Sequence, residues 1–145
     1  MTDDLAAFLR ARLDEDEAAA NATTPGPWMA GAERAHLVDN VVYGQSEWPD
    51  HIQQVCNVNY AQHKAGNATH IARHDPARAL REVAAKRAIL DGYEVTRQRY
   101  DSREEMGDLA ADRHRAGEVF GLKFAVQVLG AVYSDHPDYR QEWAP

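Results

Sequence analysis

Residues 69–83 read THIARHDPARALREV, and this stretch decides where the helical part of the chain divides. Asp75 followed by Pro76 is typical of a helix start, because the carboxylate accepts hydrogen bonds from free amides and proline has no amide to leave unpaired. Two of the seven histidines, His70 and His74, crowd the same corner. The stretch therefore predicts a junction between two helices and a place to look for chemistry.

The pattern on both sides of this junction predicts an α+β fold. An N-terminal helix is followed by a small three-stranded antiparallel sheet, and two or three helices pack on that sheet. At 145 residues the chain fits one domain. We expect that domain to span 1–145, with the N-terminal helix at 1–22, the sheet at 28–60, a helical part at 67–133 and a docked tail at 134–145.

Three strands are predicted, near residues 28–32, 36–43 and 54–59, because these runs are rich in β-branched and aromatic residues. Trp28 follows a stiff turn and is expected to anchor the first strand, with its indole N–H donating to a carbonyl. The third run alternates apolar and polar residues. That alternation predicts a strand with one buried face, and it places Cys56 on that face.

The helical part contains a short helix near 67–74 and a longer one that begins at the Asp-Pro pair. Gly92 is a candidate bend or end of the longer helix. Residues 102–105 have the spacing of a capping box, which predicts a further helix start. Residues 119–133 are apolar nearly all round, so we expect that segment to be buried on more than one side.

Large apolar side chains are scarce in this chain. The apolar fraction of 44% includes 25 alanines, whereas Leu, Ile, Val and Phe together number 26. Alanine-rich helices pack closely but fill little volume, so buried surface from a second subunit would make up the shortage. We therefore expect a homo-oligomer, in the simplest case a homodimer.

The net charge of −7 argues against a general nucleic-acid binder, since such proteins carry a basic surface that replaces phosphate counterions. Residues 73–103 are an exception, with eight basic and five acidic side chains. One interpretation is a solvated helix face that attracts the acidic terminal helices. The alternative is a surface for an anionic partner, either a protein or a small ligand. Its candidate residues are Arg73, Arg78, Arg81, Lys86 and Arg87.

A cytoplasmic location is expected from three features. The single cysteine, Cys56, excludes an intramolecular disulfide and fits a reducing compartment. No run of residues approaches the length of a membrane span. The first residues lack the basic start and apolar core of a signal peptide.

A metal site is the sharpest chemical hypothesis. His70 and His74 lie four residues apart, which on a helix places both imidazoles on one face, as zinc ligands require. If His74 instead lies in the turn before the Asp75 cap, the two rings diverge. With His63 and Cys56 they would form a zinc site, and the chain would be a small metal-dependent hydrolase. Asp75 is a weaker candidate ligand, because a carboxylate oxygen that caps a helix does not readily bind a metal ion as well. The competing interpretation is that these are ordinary histidines and that the protein binds no cofactor. The His spacing is a weaker signal for a metal site than paired Cys-x-x-Cys units.

The residues assign no catalytic group. Cys56 lies on the apolar side of an alternating strand, where a buried and inert thiol is expected. The chain has no phosphate-cradling glycine loop, no dinucleotide fingerprint and no hydrolase serine elbow. The first interpretation is therefore a non-enzymatic binding or regulatory protein.

Four motifs resemble those of a family of short actinobacterial proteins whose activity is not established. They are an N-terminal amphipathic helix, a Thr-Pro-Gly-Pro-Trp turn, a His-Ile-Ala-Arg-His-Asp-Pro helix start and a Tyr-x-Asp-His-Pro-Asp-Tyr-Arg-x-x-Trp tail. Here they run from Leu5 to Ala22, from Thr24 to Trp28, from His70 to Pro76 and from Tyr133 to Trp143. The resemblance covers almost the whole chain, but it implies no activity.

The turn and the helix start are also similar to an early phage-gene family of Ead-like proteins. That similarity implies a phage or prophage accessory role. His70 departs from the pattern, because that family more often has an apolar residue there, and an apolar residue would only pack.

Overall fold

A computed structural model describes residues 2–48, 51–59, 62–102 and 109–145. The predicted α+β fold is confirmed, with an N-terminal helix, a three-stranded antiparallel sheet and then helices. Two short 3-10 turns, Gly31–Glu33 and Gln141–Trp143, complete the described elements. The helices and strands are α1 (Thr2–Asn21), β1 (Met29–Ala30), β2 (Val41–Gln45), β3 (Ile52–Asn57), α2 (Lys64–Arg73), α3 (Pro76–Asp101) and α4 (Leu109–Ala131).

The chain divides into two compact units. Unit 1 comprises Met1–Glu15 and Ala84–Pro145, and unit 2 comprises Asp16–Val83. The boundaries fall inside helices α1 and α3. The prediction of one domain over 1–145 stays a prediction.

The sheet of unit 2 has the order β1-β2-β3, with both pairs antiparallel. Its second strand begins at Val41, so the predicted start at residue 36 is wrong. The preceding segment forms turns, and the Val41 N–H donates to the Val38 carbonyl at 3.0 Å. Gly31 lies against that same carbonyl, where a Cβ would come within 1.9 Å of the oxygen. This close approach turns the backbone and delays the strand.

A β-bulge breaks the predicted alternation of the third strand. Val42 pairs with Cys56 and Tyr43 pairs with Gln54, so Val55 is an extra residue on β3. Val55 and Cys56 consequently both pack against the unit 2 core, although strict alternation would place them on opposite faces.

The core of unit 2 is built from small side chains. Ala68 and Ala72 of α2 are buried against Ala30 and Val42 of the sheet. Residues without long side chains let a helix lie close to a sheet, which explains how an alanine-rich chain forms a core here.

The core of unit 1 is larger and aromatic. Leucines of α1 pack with Leu90 and Tyr93 of α3 and Val126 of α4. The tail closes this core around Phe8, whose ring has four aromatic neighbours with centroids between 5.1 and 6.4 Å away. Those neighbours are Tyr133, His136, Tyr139 and Trp143.

Helices α3 and α4 depart from the predictions in two ways. Helix α3 continues past Gly92 to Asp101 without ending. Helix α4 meets the core on one side only, through Val126 and its neighbours, so the prediction that residues 119–133 are buried on more than one side is wrong. The predicted capping box at 102–105 lies largely outside the described residues.

Candidate functional site

The Asp75 corner is a completed helix cap, as predicted. One carboxylate oxygen of Asp75 accepts the Arg78 N–H at 2.6 Å, and the other accepts the Trp28 N–H at 3.1 Å. Pro76 is the first residue of α3. The Trp28 indole N–H donates to the Thr24 carbonyl at 2.9 Å, which confirms its predicted anchoring bond. Both Asp75 oxygens are therefore engaged in holding the backbone.

The turn before Trp28 packs directly on this cap. A Cβ at Gly26 would lie 2.9 Å from the Ala77 Cβ and 2.9 Å from an oxygen of Asp75. Only glycine fits there without a shift of its neighbours. Two motifs that are separated by more than forty residues thus form one contact, which spacing along the sequence did not reveal.

His70 and His74 lie side by side, as their four-residue spacing predicts. Their ring centroids are 4.3 Å apart and the rings are tilted by 39°. Nδ1 of His74 is 2.9 Å from the His70 carbonyl oxygen, so that nitrogen is held by the backbone at the end of α2. The exposed pair leaves one nitrogen of His74 and the ring of His70 for a ligand.

The other predicted metal ligands lie apart from this pair. His63 precedes α2 by one residue, so it is about 10 Å from His70 along the helix axis. Cys56 lies in β3 against the unit 2 core. Nitrogen ligands of one zinc ion lie about 2 Å from the metal and must converge. Among the described residues, no group of three or more His, Cys, Asp or Glu side chains could hold a metal ion.

The predicted basic residues of unit 2 are partly engaged. Arg78 forms an ion pair with Glu82 at 2.7 Å and also donates to the Arg73 carbonyl at 3.3 Å. Arg73 and Arg81 have exposed side chains, and within the described ranges neither has an ion-pair partner. Two cations of this part of the predicted anionic surface therefore point to solvent.

The predicted basic residues of unit 1 are both engaged. Arg87 forms an ion pair with Asp14 of α1 at 2.5 Å. The Lys86 ammonium lies 5.6 Å from the centroid of the Tyr133 ring, in a cation–π contact. The Arg87 pair matches the interpretation in which the basic face attracts an acidic terminal helix.

A groove of about 340 Å³ lies between α1 and α3 in unit 1. Arg10 in this groove donates to Glu94 at 2.6 Å and to Asp91 at 2.8 Å. The hydrogen bond to Glu94, followed by that to Asp91, raises the pKa of the guanidinium above its ordinary value. The charge of Arg10 is therefore already paired with two carboxylates of the same unit, so the groove is a poor site for an external anion.

Among the described residues, α4 carries an apolar stripe that is exposed to solvent. The sequence pattern predicted that this segment lies in the core. Three residues of α4 at intervals of four, and a fourth directly after its last residue, lie on the side opposite Val126. We call them the outer face of α4. They are Phe120, Phe124, Val128 and Val132, with 72%, 51%, 45% and 62% of their surface exposed. A helical-wheel analysis of residues 119–133 shows two apolar sides, but sequence alone does not say which one is covered.

Comparison with known families gives one match. The family model described as a family of unknown function (DUF6221) matches residues 2–145. The chain belongs to this family. Among curated proteins and solved structures, no relative matches it. The predicted membership of a domain family of unknown function is confirmed, whereas a phage link and an actinobacterial origin stay predictions.

Three of the motifs that carry the resemblance have structural roles in this chain. The Thr24–Trp28 turn and Asp75 hold each other in unit 2. The tail from Tyr133 to Trp143 packs on Phe8 in unit 1.

No described helix is long and apolar enough to cross a bilayer.

Proposed function

We propose that the chain is a non-enzymatic binding or regulatory module that docks through the outer face of α4. The observation that carries this proposal is the exposed stripe from Phe120 to Val132. Contiguous apolar patches of about 300–600 Å² on a monomer are often functional. Single exposed apolar residues need no explanation, but three in register on one helix with a fourth directly after it do.

The composition strengthens this proposal. The chain has three phenylalanines, and two of them, Phe120 and Phe124, are exposed on this one face. Burying a side chain of this size contributes about 1.5–3 kcal/mol relative to leaving it in water. A chain with so few large apolar residues would gain stability by burying them in its core. Their exposure is best explained by a surface that covers them in a complex.

The setting of this module is part of the proposal. The single, half-buried Cys56 supports a reducing, cytoplasmic location. The resemblance of the Thr24–Trp28 turn and the following helix start to Ead-like phage proteins supports an accessory role for a phage or mobile element.

Site-specific photo-crosslinking tests the proposal. Benzoylphenylalanine replaces Phe124 on the outer face of α4 or, as a control, the exposed Val95 of α3, and the protein is irradiated in its native host extract. A protein adduct at position 124 that is absent at position 95 is expected. Equal labelling at the two positions, or no adduct at 124, would remove the proposal.

An anionic ligand at Arg73 and Arg81 is a second candidate. It is favoured by the exposure of both guanidiniums without an ion-pair partner within the described part of unit 2. Titration with inorganic phosphate and with heparin at low salt tests it. Saturable binding that Arg73→Glu and Arg81→Glu abolish would support it, and the exposed Arg99→Glu of unit 1 is a matched control. Unchanged binding in the two variants would exclude it.

A metal-dependent hydrolase that uses His63, His70 and His74 is a third candidate. The observation that favours it is the 4.3 Å separation of the His70 and His74 rings. The separation of His63 along α2 weighs against a shared ion.

A further inference from the structure

The outer face of α4 continues beyond its four large residues. Gly117, Gly121 and Ala131 lie on the same side of the helix by the three-and-four spacing. A Cβ at Gly117 or Gly121 would meet nothing within 4 Å, so another helix can approach closely there. The extended face has small residues, Gly117 and Ala131, at its two ends, and its large residues lie between them.

This arrangement is compatible with an antiparallel pair, because residues equally far from Phe124 on either side then face each other. We propose that the outer face of α4 docks on the same face of a second copy of this chain, with the two helices antiparallel and Phe124 at the twofold axis. The inference rests on the proposed function and names its partner. Phe120 then faces Val128 of the second copy, and Gly117 faces Ala131. The small pair Gly117 and Ala131 lets the helix ends approach closely, and the ring of Phe120 packs against the smaller Val128.

Charge selects the antiparallel arrangement. The exposed Arg113 lies on this face near the start of α4, and the exposed Asp135 follows its end. Arg113 lies in the second turn of α4, and Asp135 lies four residues after its last residue, Ala131. An antiparallel pair therefore brings each Arg113 toward the other copy's Asp135, whereas a parallel pair would place like charges together.

The exposed apolar area fits a small but specific dimer interface. The exposed parts of the four large side chains amount to on the order of 400 Å² per copy. With flanking small residues, two copies would bury about 1,000–1,200 Å², which is the lower range of specific interfaces. The pair would also supply the buried surface that a chain with 25 alanines lacks within one copy.

Multi-angle light scattering over a concentration series tests the inference with the full chain. The mass is expected to rise to twice 16.2 kDa as the protein concentration increases. Phe124→Ser is expected to raise the dissociation constant about 30-fold or more, as for a central interface residue. The control Val95→Ser, an exposed apolar residue of α3, should leave it unchanged. Circular dichroism verifies that each variant is folded.

Charge reversal tests the direction of the helices. Arg113→Asp and Asp135→Arg should each weaken the dimer several-fold, and the double variant should restore it, since reciprocal pairs re-form in the antiparallel arrangement. Failure of the double variant to recover would overturn the antiparallel arrangement.

Two outcomes separate this inference from the proposed function. A monomer at every concentration, together with an adduct at position 124 to a different protein, would overturn self-docking and leave the binding function standing. A monomer without any adduct at position 124 would overturn both.

Discussion

Phe8 and Phe124 are the same kind of side chain in the same compact unit, but they have opposite surroundings. Phe8 is buried, with four aromatic rings around it and the Arg12 guanidinium 5.3 Å from its centroid. Phe124 has half of its surface in water, and its neighbours one turn away in either direction are exposed as well. The tail of this chain covers one phenylalanine and leaves the other uncovered.

The difference separates residues that build the fold from residues that are free to bind. Around Phe8 and at Asp75, the motifs are engaged by contacts within their own units. On the outer face of α4, large apolar groups meet no other part of the described chain closely enough to be buried. A search for function should therefore start from the uncovered face instead of the recognisable motifs.

Replacing Phe8 and Phe124 with alanine, one at a time, measures this difference directly. Phe8→Ala should lower the free energy of unfolding by about 3–5 kcal/mol, because it removes a buried ring and leaves a cavity. Phe124→Ala should change it by no more than about 0.5 kcal/mol in the monomer, since its ring is half exposed. Urea denaturation at low protein concentration gives both values. Equal losses of unfolding free energy in the two variants would contradict this difference between Phe8 and Phe124.

Asp75 provides the polar counterpart. Asp75→Ala should cost about 2–4 kcal/mol, because α3 loses its cap and the Trp28 N–H loses its acceptor. Asp75→Asn should cost less, since the amide retains one acceptor oxygen for one of these two N–H groups. Thermal and urea denaturation compare the two variants. A neutral Asp75→Ala would show that the corner does not hold unit 2 together.

Zinc content gives the smallest expected effect. Elemental analysis of untagged protein should find far less than one zinc per chain, because His63 lies about 10 Å along α2 from the His70 and His74 pair. One zinc per chain that disappears in His70→Ala and His74→Ala would instead support the hydrolase alternative.

Local chemistry explains which features were predictable from the sequence. The Asp75 cap and the Trp28 indole bond depend on residues close in the chain, and both were predicted correctly. The rings of His70 and His74 are close although His74 follows the last residue of α2, a position for which diverging rings were expected. The order of helices and strands also follows from local periodicity and turn residues.

The errors concern contacts between distant residues. The bulge at Val55 depends on how β3 pairs with β2, and the late start of β2 depends on the approach of Gly31 to Val38. The exposure of Phe120 and Phe124 depends on how many elements surround α4. Apolar residues on all sides of a helix show what could be buried, but only the assembled fold shows which side is covered.

The most direct test asks whether residue 124 of one copy contacts residue 124 of a second copy. Phe124→Cys in a Cys56→Ala background is exposed to oxidised glutathione, with Val95→Cys in the same background as control. A twofold axis at position 124 brings the two thiols within disulfide reach, so a covalent dimer is expected on a non-reducing gel. No covalent dimer at position 124, or equal dimer at position 95, would contradict the claim that α4 docks on a second copy through its outer face.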